Sequence, residues 1–359
     1  MTNLSKQVHI IAEAGSNHNG NPDLAKKLIS SAVYANADSV KFQIINPESL
    51  YLPSYFKNGK QIPSKVFQQR KKEQFSDYIW RSLADYAKEL GIIFSASVFD
   101  KQGLDLLLSL NPEYLKIAST DLNNVPFLRK IAKIKKPVLL STGMALLSEI
   151  ERAVTVFEKE SALKSLTLMH CISLYPCPLS EANLNMIDKL QYAFGLPVGF
   201  SDHTQGSDAA SIAISKGASV IEKHFTMDKT LPGFDHLHAL KPDELKAFVT
   251  TLRNVETACR HSAAPVSPGE NITKKRARRG LYAARDIDPG HVLTPEDILI
   301  VRPSAELGPE EYDDLIGRKV CSKIHKNESF GKKFVIGSGK DHSDQAEAYW
   351  SDEMKKKGL

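Results

Sequence analysis

The chain has 359 residues, 42% hydrophobic and 25% charged, a composition that buries a large core and points to one large domain plus one small one. Its net charge of +5 comes from 47 basic residues against 42 acidic ones, a mixed surface without the dense basic footprint of a nucleic-acid binder, so small anionic substrates are the better expectation. No uncharged stretch approaches the roughly 20 residues of a membrane span, and the short apolar run after Met1-Thr2-Asn3-Leu4-Ser5-Lys6 meets Glu13, unlike a secretory signal. Four scattered cysteines (Cys171, Cys177, Cys259, Cys321), with no Cys-x-x-Cys pair, fit reduced thiols in the cytoplasm.

From residue 8 to about residue 260, short β-branched or apolar runs alternate with longer amphipathic segments. The runs are residues 8–12, 39–43, 92–96, 114–117, 137–141, 166–171, 198–201 and 219–222. Between them, residues 22–34, 125–134, 147–158, 207–216 and 242–259 carry the helical period, most opened by Asp, Ser, Asn or Pro. Eight βα units in about 250 residues predict a closed (β/α)₈ TIM barrel over residues 1–261. A doubly wound open sheet is the competing topology. It would carry a Gly-rich phosphate turn after its first strand, which Gly15-Ser16-Asn17-His18-Asn19-Gly20 does not match.

Residues 262–279 change character: Pro265, Pro268 and Gly269 precede Lys274-Lys275-Arg276-Ala277-Arg278-Arg279, which reads as an exposed linker with a solvated basic cluster. Residues 280–337 hold short strands and tight turns, consistent with a small, mostly β domain, and residues 338–359 read as a polar, flexible tail.

A barrel builds its active site at the C-terminal ends of its strands. In order, those ends offer Glu13; Lys41 and Gln43; Ser97; Lys116 and Ser119; Ser141 and Thr142; His170; Ser201, Asp202 and His203; and Glu222, Lys223 and His224. Ser or Thr at a strand end is ordinary loop or cap chemistry, but lysines, carboxylates and histidines at one mouth are not. His203 and His224 end consecutive strands, which lie about 5 Å apart, so both imidazoles can reach one divalent cation in an open, Lewis-acid coordination sphere. His236 and His238, in Asp235-His236-Leu237-His238, form a rival ligand set. Lys41 and Lys116 supply positive charge for a phosphate and a carboxylate, and Ser119, Ser141 and Ser201 supply short donors around them. A Schiff-base lysine of the class I aldolase kind is the alternative use of either lysine.

These residues fall in register with a known family. Ile10-Ile11-Ala12-Glu13-Ala14-Gly15-Ser16-Asn17-His18-Asn19-Gly20, Val40-Lys41-Phe42-Gln43, Lys116-Ile117-Ala118-Ser119, Leu140-Ser141-Thr142-Gly143-Met144, His170-Cys171 leading to Tyr175-Pro176, Ser201-Asp202-His203-Thr204, Glu222-Lys223-His224-Phe225 and Pro232-Gly233-Phe234-Asp235-His236 resemble, in order, the motifs of the sialic acid (nonulosonic acid) synthases. Ala283-Ala284-Arg285-Asp286-Ile287 through Val301-Arg302-Pro303 resembles their small antifreeze-like (SAF) domain.

The resemblance implies a transferase that condenses phosphoenolpyruvate with the open-chain aldehyde of an N-acetylated mannose-type amino sugar, phosphate leaving by C–O cleavage. It implies a Mn²⁺ or Mg²⁺ ion on His203 and His224, and phosphoenolpyruvate held by Lys41, Gln43, Lys116, Ser119, Ser141 and Ser201. Glu13, Glu222 and Asp235 take catalytic places, Glu13 as a proton carrier, with Asp121 and Tyr175 also near the aldehyde. Arg302 would contact the sugar's acyl group in the partner subunit's barrel, which makes the chain a domain-swapped homodimer. Asp121 stands where neuraminate synthases usually carry glutamate, and Ser173 replaces a common asparagine. The segment from Arg302 to Gly308 looks closer to the pseudaminic branch, whereas Pro232–His236 looks closer to the neuraminic and legionaminic branches, so the product sugar stays open. A sugar-binding homologue without turnover is a further reading of the two substitutions.

Overall fold

The computed structural model describes residues 7–259 and 265–336. The chain divides into two compact units, the first running to Arg260 and the second beginning at His261.

In the first unit, eight parallel strands close into a barrel, which settles the topology in favour of the TIM-type fold. The strands are β1 (His9–Gly15), β2 (Ser39–Ile44), β5 (Ile93–Val98), β6 (Leu115–Ile117), β7 (Val138–Ser141), β8 (Leu166–Cys171), β9 (Val198–Asp202) and β10 (Val220–His224), with β1 pairing β10 and β2 on its two sides. Between β2 and β5 the chain inserts a hairpin, β3 (Ser54–Lys57) and β4 (Lys60–Pro63), then helices Lys65–Glu73 and Asp77–Glu89. The predicted helices at residues 22–34, 125–134 and 242–259 form with those bounds. Asn21 and Asn124 cap the first two through their side-chain oxygens.

Alternation along each strand sorts the side chains. Ile10, Ala12, Val40, Phe42, Leu140, Leu168, Phe200 and Ile221 belong to the large core shared with the helices. Ile11, Tyr114, Leu139, Met169 and Val220 form a separate cluster filling the barrel's interior. One step further toward the C-terminal strand ends the same inward parity delivers Glu13, Lys41, Lys116, Ser141, Cys171, Ser201 and Glu222. An apolar floor therefore lies directly beneath a ring of polar groups. Two-residue spacing on parallel strands creates both layers.

The second unit contains two antiparallel pairs, β11 (Gly280–Ala283) with β12 (Ile298–Val301) and β13 (Lys319–Val320) with β14 (Val335–Ile336). Its core gathers Leu281, Ala283, Ile287, Leu293, Ile324 and Phe330. Most of the stretch read as a linker is helical, Pro268–Ala277. Ser267 and Glu270 form a capping box with Pro268 at the first turn. Lys274, Lys275 and Arg276 fall in the last turn, where cations favour the helix dipole. The helix is tied to its unit by Ser304, whose N–H (3.1 Å) and hydroxyl (2.8 Å) both donate to the Lys275 carbonyl. The tail at 338–359 lies outside the described residues. Among the described residues, no helix is long and apolar enough to cross a membrane.

Candidate active site

A cavity of about 290 Å³ opens at the C-terminal ends of the barrel strands and is lined by Glu13, Lys41, Gln43, Ser97, Lys116, Ser119, Ser141, Tyr175, Ser201, His203, Glu222 and His224, among others. Residues separated by up to 211 positions are brought together because adjacent strands hold them in register: Glu13 sits beside both Lys41 and His224, and Ser97 beside Lys116.

Two buried lysines interleave with two buried carboxylates. Lys41 Nζ lies 2.6 Å from Glu13 Oε2 and 3.6 Å from Glu222 Oε2, and donates to Ser97 Oγ at 2.9 Å. Lys116 Nζ donates to Ser141 Oγ at 2.7 Å and lies 3.8 Å from Glu222 Oε1, which also accepts from Ser201 Oγ at 3.0 Å. Gln43 Nε2 donates to Glu13 Oε1 at 3.2 Å.

The surroundings push the two carboxyls apart. Burial raises Glu13 above the usual carboxylate range, and the Lys41 ammonium only partly offsets it. Burial would raise Glu222 as well, but Lys116 and Lys41 outweigh it and hold that carboxyl at about 2. Burial lowers Lys116, with Glu222 compensating in part; at Lys41 burial acts the same way, but Glu13 and Glu222 more than reverse it. A carboxyl that takes a proton readily beside one that does not is the arrangement that separates acid–base from electrostatic roles.

Ser119 Oγ accepts from the Gly143 N–H at 2.9 Å and lies 3.0 Å from Cys171 Sγ. A Cβ at Gly143 would stand 2.5 Å from Ser173 Oγ, 2.7 Å from Cys171 Sγ and 2.9 Å from Ser119 Oγ, so only glycine lets the backbone pass this close.

On the opposite side stand three imidazoles around one phenol. The Tyr175 ring centroid is 4.1 Å from that of His203, 5.1 Å from His238 and 6.1 Å from His224. His203 and His224 are 5.6 Å apart, and His224 and His238 5.3 Å. His203 Nδ1 meets the Ile172 carbonyl at 2.6 Å, which leaves Nε2 for other partners. Burial, reinforced by His224, lowers His203 to about 3. Neutral imidazole is the metal-binding form. Nδ1 of His224 and Nε2 of His238 are buried without any hydrogen-bond partner. Orphaned nitrogens of this kind beside an Asp235 carboxylate fit a divalent cation's donor set.

Not every residue at a strand end joins the site. His170 turns outward, Nε2 against the Ala182 carbonyl at 2.8 Å and its ring stacked on Phe200. Lys223 and Asp202 pair with each other at 2.8 Å, Lys223 lying over the Phe248 ring. On each strand these have the parity opposite to that of the inward residues. Asp121 does not line the cavity: its buried carboxylate accepts from Asn124 Nδ2 at 3.0 Å and Thr120 Oγ1 at 3.3 Å. Asp235 stands outside the lining, with Oδ2 3.9 Å from His224 Nδ1. Arg302 is exposed on the second unit, next to the end of β12. Of the rival histidines, His236 is occupied, by Thr226 Oγ1 at 2.7 Å and Asn19 Oδ1 at 3.3 Å, whereas His238 joins the cluster. Ser97, named among the strand ends, joins the site through Lys41; Gly143 and Cys171 lie within the family motifs but have no role assigned there, and enter through Ser119.

Fold and site together define a TIM-barrel protein whose strand ends hold two buried lysines paired with two carboxylates, with an imidazole cluster beside them. The sequence profile of the NeuB family matches residues 28–263 and that of the SAF domain residues 278–335, and the chain belongs to the NeuB family. It is 38% identical to the N,N'-diacetyllegionaminic acid synthase of Legionella pneumophila over 88% of this chain and 91% of that one. It is 36% identical to the pseudaminic acid synthase of Campylobacter jejuni over 90% and 95% of the two chains. Among solved structures, the N-acetylneuraminic acid synthetase of Leptospira borgpetersenii superposes with a TM-score of 0.67 at 34% identity, over 74% of this chain and 90% of that one.

Proposed function

We propose that this chain is a nonulosonic acid synthase, a transferase joining phosphoenolpyruvate to the open-chain aldehyde of an N-acetylated mannose-type amino sugar. The enol C3 bonds to the aldehyde carbon, water oxygen adds at C2, the C2–O bond breaks and phosphate departs; the aldehyde oxygen ends as a hydroxyl. The observation that carries this reading is the interleaving of Lys41 and Lys116 with Glu13 and Glu222 in one cavity.

Lys41 and Lys116 offset the charge of phosphate and carboxylate, and Ser119, Ser141, Ser201, Gln43 and the Gly143 N–H donate around them. Glu222 stays ionised and keeps both lysines oriented. Glu13, with its raised affinity for protons, carries the proton between water and the new hydroxyl. Tyr175 walls the aldehyde side beside His203 and His224, with Asp235 behind His224. A Mn²⁺ or Mg²⁺ ion held by His203 and His224 supplies Lewis acidity toward the aldehyde oxygen. Family membership supports a cytoplasmic, domain-swapped homodimer in which Arg302 of one subunit meets the sugar's acyl group in the other. Light scattering, with sugar KM measured on Arg302→Ala, tests that arrangement.

The defining experiment incubates the protein with phosphoenolpyruvate, Mn²⁺ and a panel of mannosamine-type and diacetamido-trideoxy sugars, and reads products by mass spectrometry. A nine-carbon acid with stoichiometric phosphate is the expected result; no phosphate release across the panel overturns the reading. The lowered Lys116 ammonium favours a second reading, a class I aldolase. Borohydride with pyruvate would then fix an adduct on Lys116 or Lys41, and its absence removes that reading.

A further inference from the structure

The synthase reading uses two imidazoles, His203 and His224, but the tightest group of potential ligands is a different one. We propose that His238 is a further ligand of the ion assigned to His203 and His224, joining His224 and Asp235 in a donor set of imidazoles and one carboxylate that selects a first-row transition ion over Mg²⁺. This rests on the synthase reading only in placing the ion beside the same cavity.

One ligand atom from each of His224, Asp235 and His238 lies within 4.8 Å of the other two. Ligands of one ion, each about 2 Å from it, stand roughly 3 Å apart, so side-chain rotation toward the ion would close the set. The arrangement is built into the backbone. Leu240 N–H donates to the His224 carbonyl at 2.9 Å and Thr226 N–H to the Leu240 carbonyl at 2.8 Å, so the loop that leaves β10 returns alongside its end. Residues 235 and 238, three apart on the returning turn, are thereby placed beside His224.

Two observations separate a ligand from a packing histidine. A buried imidazole nitrogen left without a partner is destabilising, and the cluster contains two, His224 Nδ1 and His238 Nε2. His236, on the same turn and also buried, shows what a structural histidine does here: both of its nitrogens are partnered. Of the orphaned pair, His224 Nδ1 stands 3.9 Å from Asp235 Oδ2. Mg²⁺ prefers an all-oxygen shell and retains its waters, whereas two imidazoles with a carboxylate suit transition ions and leave positions open.

The test titrates metal-free, full-length protein with Co²⁺, following visible absorption of the bound ion and binding heat, and repeats both with Mg²⁺. The wild type should bind one Co²⁺ per chain, at least about a hundredfold more tightly than Mg²⁺. His238→Ala should weaken Co²⁺ by at least about tenfold and alter the absorption band. His236→Ala, if it folds, should bind Co²⁺ like the wild type. Metal-free His238→Ala should melt no lower than metal-free wild type, which separates lost ligation from misfolding. Wild-type affinity and spectrum in His238→Ala, or no Co²⁺ binding by the wild type, overturns the inference. The readout is the bound ion and not turnover, so the two readings fail separately. Co²⁺ held through His238 without phosphate release leaves this inference standing and overturns the synthase; phosphate release with unchanged Co²⁺ binding in His238→Ala overturns this inference alone.

Discussion

Glu222 in the barrel and Asp297 in the second unit are both buried carboxylates held at about 2, and they reach that value by different means. Asp297 is saturated: it accepts from Thr294 N–H and Oγ1 at 2.9 Å each, His291 Nε2 at 2.8 Å and Arg285 Nε at 2.8 Å, with Arg285 Nη2 at 2.7 Å. Glu222 accepts a single hydrogen bond, from Ser201, while its Oε2 accepts none and has Lys41 Nζ 3.6 Å away. Charges at a distance do for Glu222 what direct donors do for Asp297. The first arrangement stabilises a fold. The second leaves lysine N–H groups and a carboxylate oxygen for an incoming molecule, at a cost to stability.

The sharpest way to break this contrast is to remove a barrel lysine. Lys116→Met should lower phosphate release from phosphoenolpyruvate by about 10³-fold, or about 4 kcal/mol, because an oriented cation at developing charge is lost. Burial disfavours its ammonium, but Lys116 also holds Glu222 ionised, so a thermal melt should show a loss of stability well short of the loss in turnover. A lower melting temperature with near-normal turnover would make Lys116 structural, like Arg285.

Asp297→Asn should do the reverse. An amide nitrogen in place of one carboxylate oxygen would face two or three of the five donors, and the second unit should lose about 3 kcal/mol. Hydrogen exchange read peptide by peptide should show β11 and β12 losing protection while the barrel strands keep theirs. Unchanged protection would mean that saturation of this carboxylate contributes nothing.

Glu13→Gln sharpens the contrast within the barrel. It keeps the shape and the Gln43 and Lys41 neighbours but removes proton transfer, so kcat should fall about 10²-fold. The KM for phosphoenolpyruvate should change little, since Lys41 and Lys116 remain. A raised KM with normal kcat would move Glu13 from proton carrier to binding group.

How far the sequence carries this contrast differs between the units. The barrel was legible because each strand is a short apolar run flanked by helical periods: the runs at 39–43 and 166–171 became Ser39–Ile44 and Leu166–Cys171. Its site was legible by position, but strand ends alone do not say which way a side chain points. Glu222 and His224 face in and Lys223 faces out by parity, a count that also separates Ser201 and His203 from Asp202. His238 was out of reach for another reason, since its place depends on the return path of residues 226–240. In the second unit, the signal for the Pro268–Ala277 helix was local, Ser267-Pro268-Gly269-Glu270, and was masked by the basic run that follows. Asp297's partners were readable only in part: Thr294-Pro295-Glu296-Asp297 is a capping box, while Arg285 and His291 arrive through the tertiary fold.

The smallest expected effect tests the saturated carboxylate by pH alone. In the folded chain Asp297 is held at about 2, below its ordinary 3.8: burial opposes this, but His291, Thr294 and Arg285 outweigh it. The folded unit thus binds this proton more weakly than the unfolded chain does. Its contribution is complete above 3.8 and drains away as pH falls toward 2, about 2 kcal/mol in all. Urea midpoints of β11 and β12, followed by amide NMR at several pH values, should fall through that window in the wild type. In Asp297→Asn, which has no proton to gain there, this part of the fall should vanish. If both proteins lose stability in parallel, other groups govern the acid response, and five donor contacts on one carboxylate would not amount to the stabilisation assigned to them.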